Sequence, residues 1–200
     1  MAPTLADVAA DGRIDAFFTR HGVERRFAAG ERIIRAGEDA GGVYFVRSGA
    51  VKVVLVGRSG RESVLEIRES GALVGEMSVI LGRARSAAVD GLHNGVLLLV
   101  STARFRDGLA DAGFAGAVLR ETVRRLGQAS VHQHEIAAGD ARARVARVIV
   151  DLADRVGEPA AVGLLVRAIT QKDLADFAGV SRDGVVRSFS DFRARGWLST

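Results

Sequence analysis

A chain of 200 residues has room for one large domain or two small ones, and with 48% apolar residues it can bury a sizeable core. It contains no cysteine, which excludes disulfides, thiolate catalysis and cysteine-ligated iron–sulfur clusters. No apolar run is long enough for a membrane-spanning helix and residues 1–7 lack a signal-peptide pattern, so a soluble cytoplasmic protein is expected.

Residues 13–21 read as a short helix with Ile14, Phe17 and Phe18 on one face. From 27 to 100 the chain is rich in glycine and β-branched residues. Short apolar runs such as Val43-Tyr44-Phe45-Val46 alternate with glycines, the pattern of an all-β sandwich or barrel. Phe17, Phe18 and Phe27 are expected in the core.

The pattern turns helical at about Thr102, with Phe105 and Leu109 in a short helix. A longer helix is predicted over 114–138, with Val118, Thr122, Leu126, Ala129, Gln133 and Ile136 along one stripe. That spacing alternates three and four, as in a two-helix seam, though an ordinary buried helix fits too. Gly139-Asp140 breaks it, glycine ending one helix and aspartate capping the next over 141–156. Gly157-Glu158-Pro159 stops that helix, and Leu164-Leu165-Val166 suggests a short strand.

Thr170 and Asp173 form a capping box ahead of Leu174, Ala175 and Phe177. This helix ends at Gly179, and Ser181 caps another running to about 194. Two short helices across a glycine turn make a helix-turn-helix pattern. Trp197 is expected to anchor the last helix in the core. The net charge of +4 says little, but Arg182, Arg187, Arg193 and Arg195 cluster here against two aspartates. That is either a nucleic-acid footprint or a solvated helix face.

Residues 75–88, GEMSVILGRARSAA, carry the most chemistry. Gly75 lets backbone approach a ligand closely. Glu76 can accept from a sugar hydroxyl, and nine residues on Arg85 offers a planar fork that suits phosphate. Ser86 adds a hydroxyl and an N–H, and N–H groups of a short helical turn between them favour the same anion. Taken alone, these residues also fit a surface salt bridge between Glu76 and an arginine. His93 reads as a structural loop residue. His132 and His134, two apart on a helix, cannot face one ligand together, and no nucleophile–base pair or metal-ligand cluster stands out.

The segment resembles the phosphate-binding cassette of cyclic-nucleotide-binding domains in its Gly-Glu, its spacing and its Arg-Ser-Ala ending. Ala29-Gly30-Glu31, Gly37-Glu38, Val43 to Val46, Ser48-Gly49 and Val51-Lys52-Val53 resemble the glycine-punctuated β-roll of the same domains. Residues 169–187 resemble the helix-turn-helix of the cyclic-AMP receptor/fumarate–nitrate regulator family, and Arg124-Arg125-Leu126 to Ser130 its dimerisation helix. The resemblance covers nearly the whole chain.

It implies an α+β protein: a cyclic-nucleotide-binding, jelly-roll-like β-roll over 1–112, a dimerisation helix and hinge over 113–139, and a winged helix-turn-helix over 140–200. The hinge is Gly139-Asp140. A β-hairpin wing is expected after Gly196-Trp197-Leu198; the sequence stops at Ser199-Thr200, so either it is cut short of the wing or the wing is lacking, and weaker DNA binding is expected of this chain. Gly75, Glu76, Met77, Arg85, Ser86, Ala129 and Ser130 are the implied nucleotide site. Glu76 accepts from the ribose 2′-hydroxyl, Arg85 and Ser86 hold the cyclic phosphate, and Ser130 lies near the purine. Ala129 stands where the cyclic-AMP receptor has threonine. Cyclic AMP is the expected allosteric ligand ahead of cyclic GMP, with no prosthetic group and no metal. Thr170, Gln171, Ser181, Arg182, Asp183 and Arg187 are the implied DNA contacts. Asp183-Gly184 replaces the usual glutamate-threonine, so an operator different from the family's usual one is expected. The implied partners are double-stranded DNA, a second copy of the chain and RNA polymerase, with no membrane and no enzymatic activity. The rivals are a same-fold regulator that answers another effector or binds DNA without ligand, a cyclic-nucleotide-regulated enzyme subunit, and a purely structural dimer.

Overall fold

The computed structural model describes residues 12–57, 60, 62–137 and 139–199, the side chains of 130–137 excepted. Helix α1 (Gly12–His21) leads into strands β1 (Val23–Phe27), β2 (Arg32–Ile34), β3 (Gly42–Ser48), β4 (Ala50–Val56), β5 (Glu62–Glu69) and β6 (Leu73–Val74). Helix α2 (Glu76–Leu81) interrupts the strands before β7 (Ala88–Gly91) and β8 (Gly95–Ser101). The strands form two antiparallel four-stranded sheets, ordered β1-β8-β3-β6 and β2-β7-β4-β5. Phe27, Ile33, Val46, Val51, Val74, Val89 and Leu97, drawn from both sheets, bury one another between the layers. This is the β-roll expected from the glycine-punctuated apolar runs.

Helices cover one sheet. Ile14 and Phe18 of α1, Phe105 of α3 (Thr102–Gly108), and Phe114, Ala117 and Val118 of α4 (Ala112–Ala137) pack on Val43, Phe45, Leu98 and Val100. Phe18 stacks on Phe45 at 5.6 Å, and Phe17, only half-buried, stacks on Phe114 at 4.1 Å. Val118 is thus a core residue of the roll, and Thr122 donates to the Val118 carbonyl. The exposed apolar stripe of α4 lies one position along, on Leu119, Val123 and Leu126, with Ala129 also exposed. The stripe predicted from the sequence therefore mixes two faces. Gln133 and Ile136 fall outside the described side chains.

The chain breaks where glycine and aspartate predict it. Gly139 adopts φ 92, a left-handed conformation that favours glycine. Asp140 accepts from the Ala143 amide and caps α5 (Ala141–Val156). A small hairpin of β9 (Glu158–Pro159) and β10 (Leu164–Leu165) precedes α6 (Gln171–Ala178) and α7 (Arg182–Ala194). Thr170 and Asp173 make both bonds of the capping box, Gly179 closes α6 in the left-handed region, and Ser181 accepts from the Gly184 amide to start α7. Val145, Val148, Leu152, Leu174, Ala178, Val185, Phe189 and Phe192 bury this three-helix unit. Ala50, Ile67 and Leu92 of the roll join the same cluster, so the two parts share apolar surface.

Trp197 departs from expectation. It is 70% exposed, because the chain turns outward through Gly196 at φ 70. Its ring lies under the Arg195 guanidinium at 5.1 Å and beside Phe192 at 6.2 Å. No helix among the described residues is long and apolar enough to cross a membrane.

Candidate functional site

The segment between β6 and β7 gathers Gly75, Glu76, Met77, Arg85 and Ser86 of the predicted ligand residues. Gly75 sits at φ 82, and a Cβ there would collide with Nη1 of Arg85. The glycine thus makes room for Arg85 rather than for a ligand directly. Nη1 of Arg85 donates to the Gly75 carbonyl at 2.6 Å, and Nη2 to the Gly42 carbonyl at 2.6 Å. The Arg85 backbone is fixed as well, its amide donating to Glu38 and its carbonyl accepting from Gly37.

Arg85 is only 7% exposed. Burial lowers its pKa from the usual arginine value, against the weaker pull of Tyr44, Glu76 and Glu38. Among the described residues no carboxylate forms an ion pair with it. A guanidinium has five N–H donors, and two carbonyls take one each. A desolvated cation held by neutral acceptors favours an anion strongly. Ser86, next along the chain, is exposed at the mouth of this loop, and so is Met77 on α2.

Glu76 is 1% exposed and doubly paired. Its Oε1 takes Nη2 of Arg125 from α4 at 2.6 Å, and its Oε2 takes Nη1 of Arg68 from β5 at 3.3 Å. Arg68 also donates to the Leu73 carbonyl at 2.5 Å and to Glu66 at 3.2 Å. The salt bridge that the bare residues allowed is present, but it is buried and two-sided. Next to it, Arg124 grips Glu121 through two bonds of 2.8 and 2.7 Å and reaches Gln128 at 2.7 Å. Ala129 is exposed farther along α4, and Ser130 lies in the same helix with its side chain outside the described set.

Arg68 was not singled out from the sequence. It falls in a strand whose alternation breaks, Ile67 and Arg68 both being buried, so its charge alone read as a surface position. Arg125 stood within the helix quoted for its resemblance, but nothing local linked it to Glu76.

The second cluster is on α7. Gly184, Val185, Ser188, Phe189 and Phe192 face the three-helix core, leaving Arg182, Asp183, Val186 and Arg187 exposed on the other side. Ser181 is engaged in capping, Thr170 is exposed at the start of α6, and Gln171 beside it is half-buried. Val186 was not singled out from the sequence, because the Val185-Val186 pair reads as core and only the folded helix shows which of the two is exposed. Among the described residues, no three histidine or carboxylate side chains converge to hold a metal. His93 donates its amide to the Ala50 carbonyl, while its Nε2 is buried without a hydrogen-bond partner.

A β-roll with a buried arginine in its cassette loop, joined by a long helix to a helix-turn-helix, is the architecture of a DNA-binding regulator. Comparison with known proteins agrees. Residues 24–111 match the cyclic nucleotide-binding domain and residues 143–200 the Crp-like helix-turn-helix domain, which together take in most of the chain. The CRP-like cAMP-activated global transcriptional regulator of Mycobacterium tuberculosis is 28% identical over 174 residues, 86% of this chain and 78% of that one. The cAMP-activated regulator Vfr of Pseudomonas aeruginosa is 26% identical over 88% of this chain and 85% of its own. Among solved structures, the c-di-GMP responsive regulator CLP of Xanthomonas campestris superposes with a TM-score of 0.77 at 25% identity, covering 94% of each chain. The chain belongs to the cyclic-AMP receptor/fumarate–nitrate regulator family: it is a DNA-binding transcription regulator with a cyclic-nucleotide-binding domain, in a family of regulators rather than enzymes.

Proposed function

We propose that the chain is a homodimeric transcription regulator that cyclic AMP switches, in the cytoplasm, to a DNA-competent arrangement. The observation that carries this is Arg85, a buried cation with two carbonyls and, among the described residues, no carboxylate, beside the exposed Ser86. A cyclic phosphate supplies the missing counter-charge. The ribose 2′-hydroxyl then donates to Glu76, and Gly75 and Met77 complete the wall. Each Glu76 oxygen already accepts one arginine bond, so the sugar hydroxyl joins an arginine on the same carboxylate and draws on the bond to Arg125. Occupancy is therefore felt directly on α4. The ligand shifts the population only by the difference in its affinity for the two arrangements.

The exposed stripe of Leu119, Val123 and Leu126 supports pairing of α4 with a second copy, each helix burying the other's apolar face. Ser130, with Ala129 before it, approaches the purine. Cyclic AMP is preferred to cyclic GMP, since two relatives are described as cAMP-activated. We divide the chain at 112 and 139, with Gly139-Asp140 as the hinge that repositions residues 140–200. Arg182 and Arg187 suit guanine O6 and N7, and Asp183 suits cytosine N4. The Val186 methyls suit a thymine methyl. Thr170, Gln171 and Ser181 lie where α6 and α7 meet the phosphate backbone. RNA polymerase is the proposed downstream partner.

Calorimetric titration of the full chain with cyclic AMP, cyclic GMP and cyclic di-GMP tests this, with Arg85→Ala as control. Cyclic AMP binding that the variant loses is the expected result. Binding of cyclic di-GMP alone would favour the second reading raised by the Xanthomonas relative. Binding of none would return the protein to regulators of this fold that answer another signal.

A further inference from the structure

Three neighbouring residues of β5 look in opposite directions. Arg68 points to the cassette and holds Glu76 Oε2 at 3.3 Å. On either side of it, the Ile67 carbonyl accepts from Arg155 Nη2 at 2.9 Å, and the Glu69 carboxylate accepts from Arg155 Nε at 2.7 Å. Arg155 belongs to α5, in the DNA-binding part, and Asp151 on the same helix takes Nη1 at 3.3 Å. The Ile67 side chain, 2% exposed, is buried with Val148, Leu152 and Val156 of α5.

The neighbouring strand adds a second contact at the same rung. Lys52 of β4 is the register partner of Ile67, and its Nζ lies 3.4 Å from Asp173 Oδ2 in the capping box of α6. Both groups are largely buried, so water screens this pair little. A shift of Arg68 along or across the strand must move its peptide neighbours, which carry the contacts to α5, and through the Ile67–Lys52 pairing it reaches the contact to α6.

We propose that β5 is a second arm of the switch, passing ligand occupancy from Glu76 through Arg68 to Arg155 and Lys52 within one subunit, in parallel with the Gly139-Asp140 hinge. This rests on the reading that the cassette takes a cyclic nucleotide. Arg68 and Arg155 are positioning residues in it: neither touches ligand or DNA. Arg68 keeps Glu76 neutralised when the sugar draws it away from Arg125. Arg155 converts the resulting strand displacement into a change in how α5 sits.

The test is the coupling ratio, the DNA affinity with saturating cyclic AMP divided by that without it. It is measured by fluorescence anisotropy on a duplex selected from a random library by the full-length wild-type protein. Arg155→Ala is expected to lower the ratio roughly fivefold while cyclic AMP affinity without DNA holds. Arg155→Lys and Glu69→Gln keep part of the contact and are expected to fall between, which guards against a variant that does not fold. Arg68→Leu lowers the ratio similarly, and the Arg68→Leu/Arg155→Ala double variant loses little more than either single one, because both cut the same arm. An unchanged ratio in the folded Arg155 and Glu69 variants, or losses that multiply in the double variant, would overturn the proposal alone. A wild-type protein that ignores cyclic AMP, in binding or in DNA affinity, would overturn the functional reading and this arm with it.

Discussion

The cassette and the recognition helix use charge in opposite ways. Glu76 and Arg85 are 1% and 7% exposed, and protein groups already hold both. Arg182, Asp183 and Arg187 stand exposed on α7. A small ligand entering the first site exchanges partners with buried groups whose desolvation was offset during folding, so binding can move helices. A duplex docking on the second meets charges still hydrated, so binding is long-ranged, salt-dependent and mechanically mild. A sensor needs the first kind of site and a reader of DNA the second.

The contrast can be broken most strongly at Glu76. Glu76→Gln takes from Arg125 the carboxylate that pairs it and leaves Arg68 only Glu66, and should cost about 3 kcal/mol of stability, read by urea denaturation. Arg85→Ala should weaken cyclic AMP about a hundredfold by calorimetry, the loss of charge-assisted bonds to phosphate. On the exposed side, Arg187→Ala should cost about 2 kcal/mol of DNA affinity and relax preference at one base pair, without changing nucleotide binding. Thr170→Ala removes one half of the α6 capping box and should cost about 1 kcal/mol of stability.

The smallest effect is acid sensitivity. The hydrogen bond from Arg195, with help from Arg142, holds the Asp191 carboxyl below the ordinary aspartate range. A depressed carboxyl adds stability that is present above its unfolded pKa and lost as pH falls through the folded one. Asp191→Asn should therefore remove a small stabilisation at neutral pH, leave stability at low pH almost untouched, and so flatten the acid limb slightly.

What could be read in the sequence was local. The β-roll pattern, the break at Gly139-Asp140 and the Thr170–Asp173 box each depend on residues a few positions apart, and each is found where expected. The β-roll and helix-turn-helix were legible with them. What escaped depends on distant neighbours. Val118 and Leu119 are adjacent on α4, and only the roll's position decides that the first is buried and the second exposed. Trp197 looks like a core residue until the turn at Gly196 carries it outward. Gly75 and Arg85 were singled out together, but that the glycine makes space for the arginine required the folded loop. Arg68 and Arg125 reach Glu76 from 8 and 49 residues away, and no sequence period links them.

The central claim is that a cyclic nucleotide in the buried site changes what the exposed site can do. Anisotropy of the wild-type protein on its selected duplex, with and without saturating cyclic AMP, tests it most directly. The account predicts DNA affinity at least about fivefold higher with the nucleotide. Equal affinity in both conditions, from a protein that demonstrably binds cyclic AMP, would contradict it.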